Sequence, residues 1–259
     1  MSTYAWLLPA RTPRSAFSKL LQGETKIAWR MPIGLITGVA APVLVLIIMG
    51  IFPGMSKSEA KLGGLTWFGV YFPILIAISV AVLGLISLPT HLATYRQQGI
   101  LRRISTTPVP PAWMLSAQVL INLALAVIAL GILTVAGTIG YGLGAPRQLP
   151  GFLLALLLAI AAMFALGLWV SAIARTAAAA SGIGQLILFP SLFFAGLWIP
   201  REVMPAALRD IADWTPLGAA VQALQSSMKG VFPPTQSLLV MAAYAVVFGF
   251  LAVRYFRWE

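Results

Sequence analysis

The chain has 259 residues, of which 60% are hydrophobic and only 9% charged, with a mean hydropathy of +0.94. A soluble domain carries roughly 25% charged residues, so this composition excludes a water-soluble core and makes lipid the solvent. There is no cysteine beside the net charge of +11, which excludes a disulfide framework, a thiolate zinc site and a thiol nucleophile.

Taken in chain order, "MSTYAWLLPARTPR" has too short an apolar run, with no basic flank before it, to be a cleaved signal. Targeting is therefore expected to fall to the membrane helices. In "SAFSKLLQGETKIAWR", residues 15–30, Phe17, Leu20, Leu21, Ile27 and Ala28 recur at helical spacing opposite Lys19, Gln22, Lys26 and Arg30. That pattern predicts a helix lying in the membrane interface.

A spanning helix needs about 20 mainly apolar residues. Six stretches qualify: Pro32–Phe52, Phe68–Leu88, Ala112–Tyr141, Gly151–Ala174, Ser181–Leu197 and Leu238–Tyr255. The fold class is accordingly all-α polytopic, with six transmembrane helices in one domain, 1–259. Gly34 and Gly38 in the first stretch allow close approach of another helix. Pro190 is expected to kink the fifth.

Orientation follows the basic residues. With the N-terminus inside, eleven of the seventeen Lys and Arg fall in inner segments and six in outer ones. Both termini are expected in the cytoplasm. The positive charge then follows membrane orientation, and no nucleic-acid partner is implied.

Between the second and third stretches lies "RQQGILRRISTTPVPP", residues 96–111. Ile100, Leu101 and Ile104 share one helical face, the arginines and Gln98 occupy the rest, and the prolines end the helix. Such a helix either floats on the bilayer or docks on a cytoplasmic partner. The loop, 92–107, is longer than a simple connection needs, which favours docking.

Missing chemistry discriminates further. Apart from Arg254, next to the inner end of the sixth, no Asp, Glu, Lys, Arg or His lies inside any of the six stretches. An ion-coupled pump would need such residues as a relay, and an intramembrane enzyme would need acids or histidines. No catalytic residue and no metal ligand is assigned. His91, the one histidine, reads as an interfacial polar residue, and "GMSKS" at Gly54–Ser58 lacks the glycine a phosphate loop places before its lysine. Gln118, Asn122 and Gln185 read as interhelical hydrogen-bonding groups. The chain offers no energy source of its own, so if it pumps, another protein must drive it; a scaffold subunit without transport and, less well, a membrane-embedded enzyme are the alternatives.

Two segments carry a resemblance to a known family. One is "YRQQGILRRISTTPVPPAWMLSAQ"; the other is "FPSLFFAGLWIPREVMPAALRDIADWTPLGAAVQAL", with Gly196, Pro200, Pro205 and Pro216 regularly placed. The chain resembles a permease of the type-2 ABC exporter family, in the branch of daunorubicin-type drug and lipid exporters. Where relatives often have acids before the first glycine, this chain has Gln97 and Gln98.

The resemblance implies that Arg96–Ser105 is a coupling helix seated in a separate ATPase subunit. The docking surface would come from Arg96, Gly99, Ile100, Leu101, Arg102, Arg103 and Ile104. Residues 15–30 would be the connecting helix, and short helices within 200–235 would cap the exit. The chain would hold no cofactor itself, ATP and Mg being bound by two ATPase copies. A second permease, identical or a paralogue, would complete a path for a hydrophobic or amphipathic molecule or a lipid. That path would be lined by Tyr71, Phe72, Ser79, Gln185, Phe189, Phe193 and Phe194.

Overall fold

The computed structural model describes residues 13–30, 34, 36–52, 54–62, 64–100 and 112–255. Among these the elements are helices. α1 is Pro13–Arg30. α2 is a π-helical segment, Ile36–Ala40, running into an α-helix, Ala41–Ile51. α3 covers Trp67–Gln97, α4 Ala112–Tyr141, α5 Leu149–Ile173 and α6 Ala177–Phe194. α7, Ala206–Trp214, and α8, Pro216–Met228, precede α9, Thr235–Tyr255.

Five of these, α3, α4, α5, α6 and α9, are long and apolar enough to cross a membrane. α2 spans about 24 Å at 1.5 Å per residue, short of a hydrocarbon core of roughly 30 Å. The first expected stretch began at Pro32, and residues 31–33 and 35 lie outside the described residues.

α3 is the hub. Of its most apolar stretch 72% is buried inside the chain, against 22% for α4, α6 and α9. α2, α4, α5, α6 and α8 pack against it, while α9 lies along α5, with Trp169 edge-on to Phe248 at 5.1 Å. α3 also runs beyond the expected Leu88 to Gln97. The continuation depends on a π turn at Leu83–Ser87, after which the α-helix restarts at Leu88 with Pro89 in its first turn. There the missing N–H of proline costs little. Pro89 returns no N–H to the carbonyls of Gly84 or Leu85, and two glycines of other spans close on them. A Cβ at Gly167 of α5 would fall inside the Gly84 carbonyl, and one at Gly184 of α6 inside that of Leu85. Backbone approach of this kind requires glycine.

Gly34 and Gly38 are spent in the same way within the chain. A Cβ at Gly34 would strike Ser87, and one at Gly38 would strike Leu83. Both glycines therefore seat the first apolar helix on α3. α6 runs through Pro190 to Phe194, and Gly196 follows at φ +87°. α8 is buried along most of its length, with Gln225 Nε2 donating to the Val70 carbonyl at 3.5 Å. It packs among α3, α5 and α9.

Candidate functional site

α1 meets the bundle through a buried carboxylate. Glu24 is 6% exposed, and its Oε2 accepts from the Tyr95 hydroxyl at 2.5 Å and from Gln118 Nε2 at 2.6 Å. One atom thus joins α1, α3 and α4. Burial pushes the Glu24 carboxyl above the usual carboxylate range, while the two hydrogen bonds pull the other way. Phe17 packs edge-on to Trp113 at 5.5 Å along the same α1–α4 seam.

The end of α3 closes a second junction. Arg96 Nη1 donates to the carbonyls of Ser171 at 2.9 Å and Ala174 at 2.8 Å. These belong to the C-terminal end of α5, where helical carbonyls lack partners and a cation is favoured. One residue on, Gln97 Oε1 accepts from the Ala177 N–H at 3.0 Å, a first-turn donor of α6 that is likewise free of helical partners. Adjacent residues of α3 therefore cap both sides of the α5–α6 turn.

Of the expected coupling helix, Arg96–Ser105, only residues 96–100 are described. Arg96 belongs to the last turn of α3, and Gly99 makes a turn at φ +67°. Ile100 is half-buried, packing with Leu20 against Tyr95 and Met114. Leu101, Arg102, Arg103 and Ile104 lie outside the described residues.

The seven expected pathway residues are not gathered on one surface of the single chain. Phe72 and Ser79 are buried within it, at 3% and 2% exposed. Tyr71 donates its hydroxyl to the Leu197 carbonyl at 3.0 Å. Gln185 and Phe189 lie on the exposed face of α6, Gln185 donating to Ser181 Oγ at 2.9 Å. Phe193 and Phe194 are half-buried and meet edge-on at 5.5 Å. Beyond α6, Arg201 pairs with Asp213, and Lys229 with Glu202 at 3.8 Å, tying the Arg201–Val203 turn to the helices after it.

Residues 15–229 match the family model described as "ABC-2 type transporter". The chain belongs to that family. The "Putative transport permease YvfS" of Bacillus subtilis (strain 168) is 25% identical over 192 residues, covering 74% of this chain and 78% of that one. As an ABC-2 permease the chain is a multi-pass plasma-membrane protein and a transport subunit, and its family implies an ATPase partner.

Within this permease, sequence reasoning missed Glu24 and the capping by Arg96 and Gln97. Glu24 offered one signal: it is the one acid of an otherwise basic amphipathic helix. The caps offered a weaker one, because the three-residue turn between α5 and α6 leaves two helix ends to satisfy. The interhelical reading of Gln118 agrees with its bond to Glu24.

Proposed function

We propose that this permease exports a hydrophobic or amphipathic small molecule or a lipid, using ATP hydrolysed on a separate cassette ATPase. In this reading residues 32–52 form the first of six spans, both termini are cytoplasmic, and the membrane is that of a bacterium. Two permeases and two ATPases make the working unit, because six helices enclose little beyond themselves and a drug-sized path fits better between two copies. The exposed Gln185 and Phe189 on α6 offer such a path a neutral, aromatic wall.

The observation that carries the proposal is the pair of junctions at the end of α3. A push delivered to the loop after Gly99 would reach α1 and α4 through Tyr95 and Glu24. It would reach α5 and α6 through Arg96 and Gln97. A short, tied helix end transmits displacement, whereas a loose loop absorbs it.

The test is reconstitution. The chain should bind a cassette ATPase when the two are co-expressed, and proteoliposomes of the complex should move a fluorescent amphiphile only with ATP and Mg. A complex that hydrolyses ATP yet moves no amphiphile of any class would favour the scaffold reading.

A further inference from the structure

Two cavities share a wall where α1, α3 and α4 meet. The smaller is lined in part by Glu24, Gln118 and Asn122. The larger, of about 380 Å³, is mainly apolar and includes Ile27, Ile86 and Ile100. Ser87, His91 and Tyr95 border both. The larger is in the volume range of roughly 300–1,000 Å³ typical of small-molecule pockets, and the smaller, of about 20 Å³, is a polar recess beside it.

The polar recess is short of donors. Asn122 is 1% exposed, and its Nδ2 donates to the Gln118 carbonyl at 2.9 Å. That bond fixes the amide, because the opposite orientation would set oxygen against oxygen. Asn122 Oδ1 then has no partner among the described residues, although buried acceptors normally find one. Glu24 takes both of its donors on Oε2, which leaves Oε1 available among the described residues. Neither cavity is lined by a lysine or arginine among the described residues.

These walls discriminate between head groups. An anion would meet the Glu24 carboxylate, and a neutral hydroxyl would leave its charge unpaired. A quaternary ammonium has no N–H for Asn122. A primary ammonium supplies one positive charge and three donors.

We propose that Glu24 and Asn122 bind the primary ammonium of an amphiphile whose apolar part occupies the adjoining chamber. The role of that ligand as cargo rests on the export reading above; its binding needs no ATPase.

The experiment uses the full chain in phosphatidylcholine nanodiscs with radiolabelled dodecylamine. Saturable binding is expected. Dodecanol, dodecyltrimethylammonium and dodecyl phosphate should each compete at least ten-fold more weakly than unlabelled dodecylamine. Glu24→Gln and Asn122→Ala should each weaken binding at least five-fold, and Asn122→Asp should tighten it. If phosphatidylethanolamine added to the discs displaces the probe, the ammonium comes from a membrane lipid; if it does not, the ligand is a free amphiphile. Either result supports the ammonium site. Binding that does not saturate, equal competition by the trimethylammonium probe, or wild-type affinity in both weakening variants would overturn it. The competition series on the unaltered chain decides the matter even if a variant fails to fold. ATP-driven movement in proteoliposomes is measured separately, so a lost site would leave the permease reading standing.

Discussion

The Tyr95 hydroxyl donates to Glu24 Oε2 at 2.5 Å across 71 residues of sequence, and this bond holds α1 against the end of α3. The carboxylate answers two donors from different spans, so α1 is part of the bundle's hydrogen-bond framework as well as an amphipathic surface helix. Removing the acceptor and removing its charge are therefore different perturbations.

Glu24→Ala leaves the Tyr95 hydroxyl and the Gln118 amide buried without their acceptor, which costs about 1–3 kcal/mol. Glu24→Gln keeps an acceptor and removes the desolvated charge. Burial raises the carboxyl's proton affinity in the folded state, so the stability it confers is fully present below the unfolded pKa. That stability is lost as pH rises through the folded value. Thermal unfolding in detergent should show wild type losing stability across that window and Glu24→Gln losing less. Equal pH profiles would show that the charge is not desolvated as described.

Gly184 and Gly182 lie on one helix and make a paired test. A Cβ at Gly184 meets the Leu85 carbonyl, while one at Gly182 meets nothing within 4 Å. Gly184→Ala should destabilise by about 1–3 kcal/mol or more, as overpacking does when backbone must yield. Gly182→Ala should be neutral or slightly stabilising, since alanine is the better helix former. Melting temperatures of the two variants check this, and equal values would place α6 elsewhere relative to the π turn.

Gln97 accepts from the Ala177 N–H, so an acid at this position would do the same with a charge near the start of α6. Gln97→Glu should stabilise by about 0.3–1 kcal/mol at low ionic strength and lose the gain in high salt. Arg96→Lys should weaken the other half of the junction, because a single ammonium does not reproduce the guanidinium's planar set of donors. Its expected phenotype is slower export with the ATPase still bound, read by transport assay and co-purification. Export at the wild-type rate would remove Arg96 from the transmission path.

The apolar run lengths made much of this fold legible in advance. Ala112–Tyr141 was expected at those bounds and is found there, and α5, α6 and α9 differ from expectation by a few residues at their ends. Hydropathy reads burial summed over a helix, and that sum decides whether a segment enters lipid. It does not read partners 75 or more residues apart, such as Arg96 with Ser171. The π turn before Pro89 was hidden for a related reason, since the glycines that accommodate the turn lie on other helices.

Because the chain lacks cysteine, its orientation can be read with single introduced ones. Gln98→Cys, on an exposed turn after α3, should resist an impermeant thiol reagent in intact cells and react after lysis. Lys57→Cys should react in intact cells. The reverse pattern would invert the proposed topology.

Ile100 and Ile104 share a helical face by their spacing in the sequence, yet they are expected to fail differently when charged. Ile100 is half-buried beside Leu20, Tyr95 and Met114, so much of its apolar surface is already used inside the chain. Ile100→Asp should lower the chain's own melting temperature, at about 25 cal/mol for each Å² of apolar surface returned to water, and disturb the Glu24 junction next to it. Ile104, four residues further on, is the side chain we assign to a partner's groove, as helix-in-groove recognition requires. Ile104→Asp should leave the melting temperature unchanged and release the ATPase in co-purification. If Ile104→Asp retains the ATPase and wild-type export while Ile100→Asp releases it without loss of stability, the docking surface lies at the start of the loop, and Ile100 faces the partner in the assembled transporter.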